Sequence, residues 1–444
     1  MRNRRRSNPI LSALTLIVCL ALVAGAVYLL YRVLPKKAPA EVTSLETSHV
    51  FEQQTQTVEP EREALYEGEP PAPVPVTPEP APQPEPEPVS EPEEDPDEAL
   101  RERARTLAAA MSREEQIWQL FFVTPEDLTG YDEVYQAGSV TQAALQEKPV
   151  GGLIYFEQNL KDAEQVRQML STTQSFAKTP LFFGIDEEGG SVQRIGGREE
   201  LGGQTVAPMQ ELGKSGDPAA VYAAGTALAE NLTNLGFNLD FAPVADVCSS
   251  ENAVIGSRSF GSDAELVSSL SAILARGLGD HGVIPCMKHF PGYGSAIVDD
   301  HNGTSVVEKT RDELEKADLV PFMGANTPFI MVSHLSFPNI TGNDTPADLS
   351  PEIVSGLLRN SLYFPNVIIT DAQNMASITG RYTAGEAAVL ALEAGCDMIL
   401  IPDSLTEAYT AVNEAVETGR ISEAALEEHV ARILTVKLQF GLME

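Results

Sequence analysis

Eight short apolar runs, separated by amphipathic stretches and polar turns, fix what this chain can fold into. They cover residues 119–123, 152–156, 181–185, 237–242, 283–287, 329–332, 367–370 and 398–401. Their length and apolar character are those of buried strands. Helical patterns occupy 160–176, 218–235, 264–281, 310–319, 351–361 and 384–394 between them. Strict strand–helix alternation implies a parallel sheet, because each crossover returns the chain to the same end. Eight such units in roughly 345 residues match an α/β fold of the closed (β/α)8, TIM-barrel type with some insertion. An open doubly wound sheet is the alternative, but no GxGxxG opens any of the helices. Residues 99–110 read as a first helix, and Ser112 with Glu115 forms a capping box for the next. Stretches 405–418 and 422–439 would complete the outer ring. A single barrel domain is therefore expected over 99–444.

The preceding residues divide into three pieces. Arg2, Arg4, Arg5 and Arg6 form a basic tail over 1–9, followed by an apolar stretch over 10–34 long enough to cross a bilayer. The arginines should remain cytoplasmic, which puts the rest of the chain outside the cell membrane as a single-pass protein. Secretion after signal cleavage is the competing reading, through Ala24-Gly25-Ala26. Against cleavage, apolar character continues through Val27, Tyr28, Leu29 and Leu30. Residues 35–98 hold about half of the prolines, with repeated Pro-Glu pairs. Such a segment cannot bury enough surface to fold and reads as a disordered spacer.

A formal charge of −34 excludes a nucleic-acid partner, which needs a basic face. Cys19, Cys248, Cys286 and Cys396 sit singly in or beside apolar runs, with no zinc spacing. They read as small buried hydrophobes.

Chemistry in a barrel belongs at the carboxyl ends of the strands, and there the polar residues gather. The third run ends in Asp186-Glu187-Glu188-Gly189-Gly190, with Arg194 beyond. The fourth leads to Asp240, Asp246 and Arg258. The fifth opens Lys288 to His301, which reads KHFPGYGSAIVDDH. The sixth ends in Ser333-His334 and the seventh in Asp371-Ala372-Gln373-Asn374. Asp371 could cap the segment after it or serve as a catalytic carboxylate. Lys288 or His289 could be one half of a structural ion pair, a reading that does not serve both. Asp299 and His301, two residues apart in one loop, can act as an orienting carboxylate and a proton carrier. His334 reads as a satisfied histidine inside the barrel, and Asp240 and Asp246 as mostly structural. No spacing points to a metal. A fixed anion, a proton shuttle and several hydroxyl-gripping groups suit glycoside hydrolysis. A phosphate site is disfavoured by acidic Asp403 after the last run.

These motifs carry a resemblance. Gly184-Ile185-Asp186-Glu187-Glu188-Gly189-Gly190, Arg258-Ser259-Phe260-Gly261, Lys288-His289-Phe290-Pro291-Gly292, Asp299-Asp300-His301 and Thr370-Asp371-Ala372 occur in the order found in family 3 glycoside hydrolases. The chain resembles their bacterial β-N-acetylhexosaminidase branch. The resemblance implies a retaining exo-hydrolase acting on terminal N-acetylglucosamine of cell-wall glycans, with no metal or organic cofactor. It implies Asp371 as nucleophile, His301 paired with Asp299 as acid/base, and Asp186, Arg194, Arg258, Lys288 and His289 as the grip on the sugar. The alternatives are a family 3 β-glycosidase or glycoside phosphorylase with another sugar, and an inactive wall-binding barrel. Three residues depart from the family's pattern: Tyr293, where histidine is common, and Glu187 and Ser191 in the EGG segment. They are expected to bear on substrate preference and efficiency more than on reaction type.

Overall fold

The structure, a computed structural model, describes residues 96–248, 252, 254–296 and 305–443. The proposed anchor, the spacer up to residue 95, and Asp299 and His301 lie outside the described residues, while residues 96–98 of the expected spacer already belong to the first helix, Pro96–Ala110. Among the described residues no helix is long and apolar enough to cross a membrane.

Eight parallel strands close into a barrel in sequence order. They are β1 (Phe121–Val123), β2 (Gly152–Ile154), β3 (Phe182–Ile185), β4 (Leu239–Asp240), β5 (Ile284–Phe290), β6 (Phe329–Val332), β7 (Val367–Ala372) and β8 (Met398–Leu400). Closure comes from β8 pairing with β1, Phe121 opposite Ile399 and Phe122 opposite Leu400. Every expected apolar run thus contains a strand. The barrel interior is filled by unequal side chains. Phe122 fits because Gly152 and Gly184 face it on the next two strands: a Cβ at either would lie within 2.8 Å of its ring. Phe241 then packs against Phe122 edge-on, at 5.3 Å between centroids.

The outer helices begin where the sequence places caps. Ser112 and Glu115 form the expected reciprocal cap, and Asp162, Asp217, Asp263 and Thr383 cap later helices. The expected helix over 310–319 is shorter, Arg311–Glu315, followed by a tight turn, Val320–Phe322, around Pro321. Proline has no N–H to continue a helical ladder. Over Glu352–Ser361 the helix is wider than expected, with Gly356 N–H bonded to Pro351 O and Leu362 N–H to Leu357 O.

The amino-terminal end of the barrel is locked by buried polar groups. Asp397, just before β8, accepts from Arg359 at 2.7 Å, Arg432 at 2.8 Å and the Ile368 N–H at 2.8 Å. His429 Nδ1 lies 2.8 Å from the same carboxylate. Burial works against this charge, yet the two arginines hold the carboxyl well below its usual range. From the last helix, Lys437 donates to Gln119 at 2.7 Å over the Phe182 ring, and burial pushes its pKa down to about 7. The chemistry has to sit at the other end.

Candidate active site

The site is built from β5 outward. This strand runs three residues past the expected apolar run, so Lys288 and His289 are strand residues with almost no exposure. The apolar pattern ended at the first charged residue, but carboxylates from β3 and β4 reach in to meet both. Lys288 Nζ lies 2.7 Å from Asp186 Oδ1 and 2.7 Å from Glu188 Oε1. Arg258 clamps Glu188 from the other side with two bonds, 2.8 Å from Nε and 2.7 Å from Nη2. Burial alone would raise the Glu188 carboxyl, but Lys288 and Arg258 hold it at about 2. Burial would likewise discharge Lys288, yet Asp186 and then Glu188 raise its pKa above the ordinary lysine range. Two cations and two carboxylates therefore share one charge-balanced cluster. Asp246 gathers the next turn: its Oδ2 lies 2.7 Å from His289 Nδ1, and its Oδ1 accepts the Tyr293 N–H at 2.6 Å. The Lys288–His289, Ala242–Pro243 and Phe290–Pro291 peptides here are cis.

Glu187, one of the three departures, is fully buried. It accepts the N–H groups of Arg194 at 2.6 Å, Ile195 at 2.9 Å and Gly196 at 2.7 Å. Burial pushes this carboxyl up, and the three N–H groups pull it back only in part. Its side chain thus anchors the turn that presents Arg194. Ser191 is exposed on the same turn. Tyr293 is the departure that does line the cavity, its ring 5.6 Å from that of His289.

Asp371 lies at the carboxyl end of β7, which holds its register to β8 partly through Thr370 Oγ1, bonded to the Leu400 N–H at 3.0 Å. Asp371 Oδ1 accepts its neighbour's Ala372 N–H at 2.8 Å. Burial opposes its charge, but His334, His289 and Lys288 outweigh it and keep the carboxyl below its ordinary value. An ionised carboxylate that needs no proton removed is what a nucleophile at neutral pH requires. His334, read from the sequence as a satisfied interior histidine, is fully buried with Nε2 2.9 Å from the Ala372 carbonyl oxygen.

A cavity of about 560 Å³ opens over these groups. Asp186, Arg194, Arg258, Lys288, His289 and Asp371 all line it, so six of the eight expected site residues converge on one space. The other two, Asp299 and His301, lie outside the described residues. The sequence reading gave no site role to Glu126, Phe156 and Gln158, which follow β1 and β2, or to Asn374 and Met375 after Asp371, all of which line the cavity. Their signal was position alone: each stands just beyond a strand end. Missed too was Glu188 as the partner that ties Arg258 to Lys288. Among the described residues no cluster of His, Cys, Asp or Glu is arranged to hold a metal ion. A mostly apolar-walled cavity with convergent cations, carboxylates and an imidazole can hold a polyhydroxylated ring and present its ring carbon to Asp371.

Residues 113–436 match the family described as "Glycosyl hydrolase family 3 N terminal domain". The chain is 32% identical over 321 residues to the beta-hexosaminidase A of Pseudoalteromonas piscicida, a match over 65% of this chain and 53% of that protein. It is 35% identical over 277 residues to the beta-hexosaminidase of Chromobacterium violaceum, covering 60% of this chain and 76% of that one. A solved family 3 beta-N-acetylglucosaminidase from Paenibacillus sp. str. FPU-7 superposes with a TM-score of 0.70 at 34% identity, over 75% of this chain and 63% of that one. The chain thus spans about half of the Pseudoalteromonas protein and less than two thirds of the Paenibacillus structure.

Proposed function

This chain belongs to glycosyl hydrolase family 3, and on that premise we propose that it is a retaining exo-β-N-acetylhexosaminidase that removes terminal N-acetylglucosamine from cell-wall glycans. The observation that carries this reading is Asp371, a carboxylate kept ionised by surrounding cations at the edge of a cavity rich in hydroxyl-binding groups. In the proposed first step an Asp371 oxygen bonds to the anomeric carbon as the glycosidic C–O bond breaks, and His301 gives its proton to the departing oxygen. In the second, His301 takes a proton from water, the water oxygen bonds to the same carbon, and the Asp371–sugar bond breaks. Asp299 orients His301. Asp186, Arg194, Arg258, Lys288 and His289 grip the ring. The apolar stretch over 10–34 and the Pro/Glu-rich segment after it support a barrel tethered to the membrane on its outer side.

A chromogenic panel tests the substrate. p-Nitrophenyl N-acetyl-β-glucosaminide should be turned over at least about 100-fold faster, in kcat/KM, than the corresponding glucoside, a discrimination worth about 3 kcal/mol. Added phosphate should leave the rate and product unchanged. A glucoside preference, or a sugar phosphate as product, would replace this reading with the other family 3 activities.

His301→Ala tests the proton carrier. An activated p-nitrophenolate leaves without help, whereas an alkyl or sugar aglycone needs a proton, so the variant should lose far more on the latter, about 100-fold or greater. Equal losses on both substrates would remove His301 from that role.

A further inference from the structure

His334 follows β6 and reaches the β7 end, and it is not among the residues that line the cavity. Its ring is wholly buried, in contact at one nitrogen with the Ala372 carbonyl at 2.9 Å and at the other with Asp348 Oδ1 at 3.1 Å. Asp348 is buried to the same degree, on the short turn Ala347–Leu349 that returns the chain to β6. Its backbone N–H bonds to the Ser333 carbonyl at 3.2 Å, so carboxylate and ring are carried by hydrogen-bonded segments. Resting on the proposed role of Asp371, we infer that His334 is a permanent imidazolium, fixed by Asp348, that positions the β7 end and keeps the Asp371 carboxylate charged through the catalytic cycle.

The geometry narrows the choices. Nε2 faces a carbonyl, which can only accept, so Nε2 carries a hydrogen in every state. Nδ1 lies 3.1 Å from an Asp348 oxygen without the alignment of a hydrogen bond, so the contact is one of charge, and the proton sits on the ring or on the carboxyl. On Nδ1 it yields an ion pair; on Asp348 it yields a neutral pair with no field at Asp371. Burial pushes the ring toward neutrality, but Asp348 first and then Asp371 hold its pKa up at about 10. Burial raises Asp348 as well, opposed by His334 and the Gln373 amide. Lys288 and His289 of β5 also act on Asp371, and the Cys396 thiol lies 3.4 Å from the Asp348 carbonyl oxygen. Lys288 is already matched by Asp186 and Glu188, and His289 by Asp246. His334 has one carboxylate in direct contact, and Asp371 feels the pair from one side. A positive charge close to a carboxylate lowers its pKa by about one unit or more. That sustains a nucleophile which must regain its charge each time the glycosyl bond is broken.

The experiment is nuclear magnetic resonance on the full chain, so it does not depend on turnover. Ring nitrogen signals of His334, assigned by their loss in His334→Gln, should report both nitrogens protonated at pH 8. A neutral ring at pH 8 overturns the inference. The carboxyl carbon of Asp371 should titrate about one pH unit higher in His334→Gln than in the unaltered chain, since the amide keeps a hydrogen-bonding group but no charge. Asp348→Asn removes the anion beside the ring, so the His334 ring should lose its proton at a lower pH than in the unaltered chain. An unshifted Asp371 titration in His334→Gln makes His334 a purely structural contact and overturns the inference, as does an unshifted ring titration in Asp348→Asn. Should the unaltered chain show no N-acetylglucosaminidase activity, the proposed function falls while these two titrations still decide the charge relation. Where activity is present, the acid limb of kcat/KM should move upward in His334→Gln by the same unit.

Discussion

Replacing Asp371 by Asn should lower kcat on N-acetyl-β-glucosaminides by at least about 10⁴-fold while leaving the protein folded. A loss of that size is about 5 kcal/mol of transition-state stabilisation, the scale expected when the bond-forming group itself is removed. The amide is nearly the same shape, so binding should survive and KM should change far less than kcat. Stability should move little, because each neighbouring cation keeps another partner: His334 has Asp348, His289 has Asp246, and Lys288 has Asp186 and Glu188. Steady-state kinetics beside a thermal unfolding curve checks both halves. A variant that keeps a tenth of its activity would remove Asp371 from the chemistry.

Lys288→Met should have the second-largest effect, and it should appear in stability as well as in rate. The ammonium is buried between two carboxylates, and its loss leaves Asp186 without its 2.7 Å contact and Glu188 with Arg258 alone. Stripping one partner from a buried charge cluster costs about 3–5 kcal/mol, because the remaining charges stay desolvated. If Lys288 also grips the sugar, kcat/KM should fall by at least about 100-fold, the worth of a charge-assisted hydrogen bond. The pH dependence gives an independent sign. The Glu188 carboxyl is held at about 2 in the folded protein, below the ordinary value of 4.5. The folded state therefore binds fewer protons than the unfolded one between those values, and stability falls as pH drops through that window. Without Lys288 the folded-state value rises, and this acid-side loss should shrink. Adding Glu188→Gln to Lys288→Met should recover part of the stability, since the two share one interaction. Urea denaturation of the unaltered chain, Lys288→Met and the double variant from pH 7 to pH 3 measures the stability terms, and steady-state kinetics measures the loss in rate.

Much of the barrel was legible because a strand buried on both faces must be apolar along its length, and each of the eight runs stands out against its polar flanks. The boundaries were less legible where tertiary partners override local pattern. β5 is the instance: nothing local to Lys288 and His289 marks them as strand, since the residues that permit their burial are Asp186, Glu188 and Asp246, 102, 100 and 43 positions earlier. The grip residues were legible as a family motif, but their mutual pairing was not. Arg258 and Lys288 read as part of the grip on a sugar, with an ion pair expected for Lys288 or His289 but not both; in the fold Glu188 binds Arg258 and Lys288, and Asp246 pairs with His289. Glu187, a departure from the motif, is a loop anchor in the fold, a role its sequence neighbours do not reveal. Phe156, Gln158 and Met375 of the cavity lining escaped notice because they carry no chemistry that a sequence pattern would flag. His334 was read correctly as interior, although only its Nε2 has a hydrogen-bond partner. Its nearness to Asp348 and to the β7 end needed the three-dimensional fold to be visible.

The central claim is that an oxygen of Asp371 bonds to the anomeric carbon. It is met most directly by incubating the protein with a fluorinated N-acetylglucosaminyl fluoride that is cleaved quickly and released slowly, then mapping the adduct by peptide mass spectrometry. The account predicts one sugar per chain, on Asp371, with hydrolysis falling in step with labelling. A sugar attached to another residue, or full turnover of the reagent with Asp371 unmodified throughout, would contradict it.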